Sequence, residues 1–161
     1  MAKRPAAGAV KTRLAPPLSA EEAAELALAM LDDTVGKCAA CGDFETAIAS
    51  AGDLGWFRAR YPEVREIDAQ EGEGLAERLA HAFERSAAAR PGWSLVCVGA
   101  DSPQVPAERI VAAHAAIEAG ADLVLGPDRG GGYYLVGLAR PVAEIFTRVA
   151  MSTPKMRERT L

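Results

Sequence analysis

Short apolar runs suited to buried strands alternate with amphipathic helical patterns, and this alternation restricts the fold more than any other feature of the chain. Ser94-Leu-Val-Cys-Val-Gly99 is apolar inside and bounded by turn residues, as a strand covered on both faces must be. Before it, residues 74–90 place Leu75, Leu79, Ala82 and Phe83 on one helical face. After it, a helix is predicted over about 106–119. Ser19 followed by Glu22 is a capping box, and Leu26, Met30 and Leu31 extend that helix to about residue 37. Further strands are predicted over 43–50, 64–67, 122–125 and 133–138. A short helix over 53–61 is closed by Pro62, and a last helix opens near Pro141 and runs to 149. Strands separated by helices make βαβ units, so the expectation is an α/β fold with a mostly parallel sheet covered by helices on both faces. At 161 residues a single domain over 1–161 is expected. Such sheets bind ligands at the carboxyl ends of their strands.

Charge is distributed unevenly. The chain holds 18 Lys+Arg against 22 Asp+Glu, a net of −4. Residues 1–18 contain Lys3, Arg4, Lys11 and Arg13 and no acid; without those four the count is 14 against 22, a net of −8. A basic, glycine-containing loop on an acidic body reads as a local anion site, and the anion expected there is the phosphate chain of a nucleotide. A solvated basic tail is the alternative. An acidic body with a pI of about 5.3 argues against nucleic acid as a partner. No apolar run approaches the roughly 20 residues of a membrane span, and no secretory signal follows the first cations. A cytoplasmic location, without a membrane partner, is therefore expected. Cys38 and Cys41 have redox or zinc spacing, but only Cys97, His81 and His114 could join them. They read as helix-end thiols.

Four segments could carry chemistry. In the first loop, Gly8-Ala-Val-Lys11-Thr12 lacks the second glycine of a Walker A loop, and Pro16-Pro17 delays the helix. No G-x-G-x-x-G occurs. What is left is a flexible Gly8 with Lys11 and Arg13 as charge partners. Second, Asp101 in Gly99-Ala-Asp101-Ser-Pro103 follows a buried strand. It is either a hard oxygen ligand for Mg²⁺ or Mn²⁺ or an N-cap or Asx-turn aspartate before the next helix. Third, Gly126-Pro-Asp-Arg-Gly-Gly-Gly-Tyr-Tyr-Leu-Val-Gly137 is either a ligand-lining turn, with Tyr133 and Tyr134 stacking on a sugar or base, or a plain hairpin. Fourth, Gln70-Glu-Gly-Glu-Gly74 loosens the chain before a helix N-terminus, and Arg78 lies one turn in.

Taken in order, these segments resemble the GT-A-fold nucleotide-diphospho-sugar transferases. They are most similar to small bacterial glycosyltransferase-like proteins, some labelled arsenosugar-biosynthesis glycosyltransferases. That group is itself similar to 2-phospholactate guanylyltransferase and to molybdenum-cofactor nucleotidyltransferases. The family's K-x-P-x-x-G-x-V-K-T-R-L is matched at Lys3, Pro5, Gly8, Val10, Lys11, Thr12, Arg13 and Leu14. Its glutamine, glycine turn and helical arginine are matched at Gln70, Gly74 and Arg78, and its G-x-D-x-P at Gly99, Asp101 and Pro103. Its G-P-x-x-D-G-G-Y-Y-L-x-G-L is matched at Gly126, Pro127, Gly131, Gly132, Tyr133, Tyr134, Leu135, Gly137 and Leu138. Its W-S-T is matched at Ser152 and Thr153.

The resemblance implies a three-layer αβα fold and a glycosyl- or nucleotidyltransferase using a nucleoside di- or triphosphate donor and a small-molecule acceptor. It implies that Lys3, Pro5, Gly8, Lys11, Thr12, Arg13, Gln70, Gly74 and Arg78 bind the nucleotide. Asp101 would hold Mg²⁺ or Mn²⁺, with Lys11, Arg13 and Asp101 catalytic. Gly131, Gly132, Tyr133 and Tyr134 would shape the acceptor side. The chain departs from the family at Gly130, where the pattern has Asp, and at Met151, where it has Trp. Asp128, two residues before Gly130, is the candidate substitute. Both ends also read as short against the family, lacking most of a first strand and a final strand with an acidic motif. A non-catalytic or degenerate nucleotide- or partner-binding remnant is accordingly the alternative.

Overall fold

The computed structural model describes residues 1–41, 44–151 and 153–161. The start of the strand expected over 43–50, and Ser152, lie outside them. The described residues form two compact units, Met1–Ala69 with Ala100–Val105, and Gln70–Gly99 with Pro106–Leu161.

The first unit contains β1 (Ala2–Lys3), α1 (Ala20–Ala40), β2 (Ala47–Ala51), α2 (Leu54–Arg60) and β3 (Glu66–Ala69). Its three strands pair in parallel in the order β1-β2-β3, with Lys3 opposite Ala51 and Ile48 opposite Ile67. The capping box predicted for α1 is formed: the Glu22 amide donates to Ser19 Oγ at 3.1 Å, and the Ser19 amide donates to Glu22 Oε2 at 2.7 Å. Leu31 and Val35, one turn apart on α1, enter a core with Ala2, Ile48, Phe57, Tyr61, Val64 and Ile67. Phe57 is fully buried; burial of such a ring stabilises by about 2–3 kcal/mol, and its truncation to Ala costs about 3–5 kcal/mol.

A polar lattice closes the outside of that core. Arg60 and Tyr61 both grip Asp32 on α1, the Arg60 Nε–Oδ1 and Tyr61 Oη–Oδ1 distances being 2.8 and 2.6 Å. The hydrogen bonds from Arg60 hold the Asp32 carboxyl below the usual carboxylate range against the opposing effect of burial. The Arg60 guanidinium also lies 5.8 Å from the Trp56 ring centroid.

The second unit contains α3 (Leu75–Ala89), β4 (Leu95–Val98), α4 (Ala107–Glu118), β5 (Leu123–Pro127), β6 (Tyr133–Leu138), α5 (Glu144–Thr147) and α6 (Met156–Thr160). The strand order is β4-β6-β5, and β6 runs antiparallel to both neighbours. The expected predominance of parallel pairing therefore stops at this sheet. The cause is local: residues 128–132 return the chain directly from β5 to β6, and so short a connection can only make an antiparallel pair. Phe83 of α3 packs on Phe146 of α5, ring centroids 5.4 Å apart. Gly137 of β6 brings α4 close, since a Cβ there would stand 3.0 Å from Ile117 Cδ1. The last predicted helix shrinks to α5, and α6 follows where no helix was expected; its one buried residue, Met156, leaves no apolar period to read.

Candidate active site at the Asp101 turn

The basic loop leaves β1 and doubles back at once. The Ala9 amide donates to Ala6 O at 3.0 Å, with Gly8 at φ 72° supplying the left-handed step. Lys3 spans the loop and donates from Nζ to Ala9 O at 2.9 Å. Arg4 turns the other way, pairing with Asp53 and lying 5.8 Å from the Trp56 ring centroid. Asp53, itself at φ 41°, accepts from the Trp56 amide at 3.0 Å and so starts α2. Two of the four loop cations are thus engaged in building the loop and its flank.

Lys11 and Arg13 remain. Lys11 adopts φ 49° and ψ 32°, a left-handed conformation uncommon for a side-chain-bearing residue, and starts a single 3-10 turn over Thr12–Leu14. Thr12 and Arg13 are exposed on that turn, and Pro5 lies half-buried in the loop. The Lys11 side chain reaches Asp101, with 3.0 Å between Nζ and Oδ2. The Asp101 side chain is 63 % exposed and that of Lys11 26 %. An ion pair so open to water contributes at most about 1 kcal/mol to stability, so its position cannot be explained as a device for holding the fold.

Asp101 belongs to the first unit through the segment Ala100–Val105. Ala100 packs against the core of that unit, and the Val105 amide donates to Ser102 O at 3.1 Å, closing a turn. The helix-cap alternative for Asp101 does not hold: Pro106 stands at the N-cap of α4 and that helix has no side-chain cap. For a divalent cation, Asp101 offers one hard carboxylate whose Oδ2 faces an ammonium. Among the described residues no group of three or more His, Cys, Asp and Glu could enclose a metal. The donor set therefore fits Mg²⁺ or Mn²⁺ only in company with phosphate oxygens brought by a ligand, the usual manner for Mg²⁺.

In the second unit, the loop before α3 is fixed by the helix it precedes. Glu77 Oε2 accepts from the Glu73 amide at 2.7 Å, Arg78 Nε donates to Gly72 O at 3.0 Å, and His81 Nδ1 donates to Glu71 O at 3.0 Å. Arg85 pairs with Glu71. Gly72, at φ 119°, could carry no side chain, because a Cβ would stand 2.6 Å from Glu77 Cβ. Gly74 is the N-cap of α3 and leaves its amides without a side-chain cap, while Gln70 is half-buried at the head of the loop. Arg78 is thus a loop brace through Nε.

The β5–β6 turn is likewise internally occupied. Asp128 Oδ1 accepts from the Gly130 amide at 2.7 Å and the Gly132 amide at 2.8 Å. This carboxylate, the candidate substitute for the acid missing at Gly130, is committed to its own turn. Gly131, at φ 86°, lies against the chain before α6: a Cβ would fall 1.8 Å from Pro154 O, and the Arg157 amide donates to Gly131 O at 2.9 Å. Tyr134 lies over Gly126, whose Cβ would meet its ring at 2.7 Å. Tyr133 buries its hydroxyl with no hydrogen-bond partner among the described residues. Burial pushes that phenol above the usual tyrosine range.

Of the expected site residues, the structure brings Lys11 to Asp101, groups Gln70, Gly74 and Arg78 around the start of α3, and groups Gly131, Gly132, Tyr133 and Tyr134 at the β5–β6 turn. One residue at the Asp101 turn escaped the sequence reading. Lys37 of α1 donates from Nζ to Pro103 O and, at 3.0 Å, to Val105 O. In sequence a lysine in the last turn of a helix reads only as a complement to the helix dipole.

A fold of this kind defines an α/β protein in which a lysine and an aspartate meet on loops that follow strands. The chain belongs to the family described as an uncharacterized protein conserved in bacteria (DUF2064), whose pattern matches residues 34–153. It is similar over its length to a solved structure from Desulfovibrio desulfuricans G20 described as a "putative nucleotide-diphospho-sugar transferase". The two share 26% identity with a TM-score of 0.86, over 99% of this chain and 70% of that one. That likeness agrees with the α/β fold expected from the resemblance. No curated protein matches the chain. Among the described residues no helix is long and apolar enough to cross a membrane.

Proposed function

We propose that this protein is a transferase that takes a nucleoside di- or triphosphate donor and passes a glycosyl or nucleotidyl group to a small acceptor. The observation that carries the reading is the Lys11–Asp101 pair, two opposite charges 3.0 Å apart on two loops, with the carboxylate largely facing solvent. The likeness to the Desulfovibrio protein supports the same class of donor. In this reading the Lys11 ammonium swings from Asp101 to the donor's phosphates, and Arg13, exposed two residues on, adds a second, bidentate cation. Asp101 and the phosphates together would hold Mg²⁺ or Mn²⁺, which supplies charge neutralisation of the leaving phosphate. The cations stabilise negative charge building on phosphate oxygens as an acceptor oxygen attacks either the sugar's anomeric carbon, breaking its bond to the diphosphate and releasing the nucleoside diphosphate, or the α-phosphorus, releasing pyrophosphate, an acceptor hydroxyl losing its proton to solvent. Whether the nearer relatives are the arsenosugar-type glycosyltransferases or the phospholactate-type guanylyltransferases decides which group moves.

The test has two parts. A thermal-shift panel of nucleoside diphosphates, triphosphates and nucleotide sugars, with and without Mn²⁺, is expected to give a stabilising ligand by mass action. With that ligand, Lys11→Ala and Asp101→Ala are each expected to lower turnover by at least about tenfold, the loss of one preorganised charge. Wild-type rates in both variants would remove the assigned roles.

A second reading, a nucleotide-binding remnant without turnover, is favoured by one observation: Gly130 stands where the family pattern has an acid, and Asp128 is engaged with the Gly130 and Gly132 amides. Gly130→Asp separates the readings. A gain in turnover marks the natural chain as impaired at that turn; equal turnover removes the basis for the second reading.

A further inference from the structure

We propose that Lys37 is a positioning residue for Asp101: it clamps the loop that presents this carboxylate. The segment Ala100–Val105 has few ways to hold its own shape. Pro103 contributes an acceptor and no amide donor, and the turn Ser102–Val105 is closed by one backbone hydrogen bond at 3.1 Å. Lys37 supplies what is missing. Its half-buried side chain leaves the last turn of α1 and delivers one ammonium to two carbonyls, Pro103 O and Val105 O, the latter at 3.0 Å. Hydrogen bonds from an ionised donor are the stronger kind, and the helix C-terminus favours a cation there.

The loop is thereby held on both sides of the carboxylate. Ala100 sits against the core of the first unit immediately before Asp101, and Lys37 grips the chain two residues after it. Consecutive Cα atoms are about 3.8 Å apart, so fixing Ala100 and Pro103 leaves Asp101 little room to wander. The Lys11–Asp101 pair is too exposed to impose that order itself. The order of the loop is prior to the pair.

This inference deepens the reading under Proposed function and rests on it for the ligand, while its structural half is tested without one. Amide hydrogen exchange would be followed by mass spectrometry on the whole protein as wild type, Lys37→Met and Lys37→Arg. In Lys37→Met, segments covering 100–105 are expected to exchange about tenfold faster, while segments covering β2 and α2 keep wild-type rates. Lys37→Arg is expected to regain most of the lost protection. Unchanged protection at 100–105 in Lys37→Met, or an equal loss across the whole first unit, overturns the clamp. Calorimetry with nucleoside diphosphates and Mn²⁺ is the second arm: the diphosphate that binds wild type is expected to bind Lys37→Met about tenfold more weakly. Equal binding despite a loosened loop overturns the positioning role. Local loosening with no diphosphate bound by wild type upholds the clamp and instead removes the diphosphate donor from the nucleotide reading.

Discussion

Asp101 and Asp128 each follow a strand, each in a turn flanked by glycine, and they do opposite things. Asp128 bends inward, one oxygen taking the amides of Gly130 and Gly132. Asp101 faces outward, its carboxylate mostly in water and met by a lysine from a different loop. A carboxylate that satisfies its own backbone is an element of structure. One that is held in water by a distant cation contributes little to the fold and retains bonding capacity for a ligand. Location at a strand end does not separate the two cases; the direction of the oxygen lone pairs does.

The difference can be broken most forcefully at the structural turn. Gly131→Ala would drive a Cβ into the Pro154 carbonyl at a φ of 86°, and a loss of more than about 3 kcal/mol is expected in urea unfolding followed by circular dichroism. Tolerance within about 1 kcal/mol would mean that the turn is not clasped as described. Asp128→Ala should cost about 2 kcal/mol by leaving two amides without an acceptor, whereas Asp128→Asn, which keeps an accepting oxygen, should cost less than half as much. Asp101→Ala should change stability by no more than about 0.5 kcal/mol; a cost equal to that of Asp128→Ala would erase the contrast.

A smaller effect sharpens the picture of the second unit. His114 Nδ1 and Ser94 Oγ lie 2.9 Å apart, and burial holds the imidazole below its ordinary value of 6.5, with Glu118 partly opposing. The folded chain therefore binds this proton less readily than the unfolded chain. Stability should be complete above about pH 6.5, fall as pH drops below that, and level off beneath the folded value. Urea midpoints measured from pH 8 to pH 5 should show a smaller decline in His114→Gln than in wild type. An identical decline would show that other groups govern it.

Much of the fold was legible from residues alone, for identifiable reasons. The capping box at Ser19 and Glu22 and the face carrying Leu79 and Phe83 are local patterns, and both helices formed where those patterns lie. The antiparallel direction of β6 was implicit in the short connection between the strands expected over 122–125 and 133–138, and the expectation of a mostly parallel sheet passed over it; that Asp128 accepts its own turn's amides was not legible. The motif around Lys11 and Asp101 marked two residues 90 positions apart that meet at 3.0 Å. Lys3 and Arg4 carried the same charge in the same stretch, yet they bind Ala9 O and Asp53. Charge count cannot distinguish a brace from a ligand contact, since that depends on where the backbone points each cation. Lys37 was invisible for a related reason: its partners are carbonyls, which every residue has.

Lys11 sits on a left-handed backbone at φ 49°, a choice that costs a residue with a side chain on the order of 1 kcal/mol. The chain meets that cost during folding, before any visitor arrives. Under the nucleotide reading proposed above, an anion would meet a backbone already set, with only the Lys11 side chain left to turn from Asp101. Handedness at a single residue thus sets the path of a stretch that no strand pairing guides.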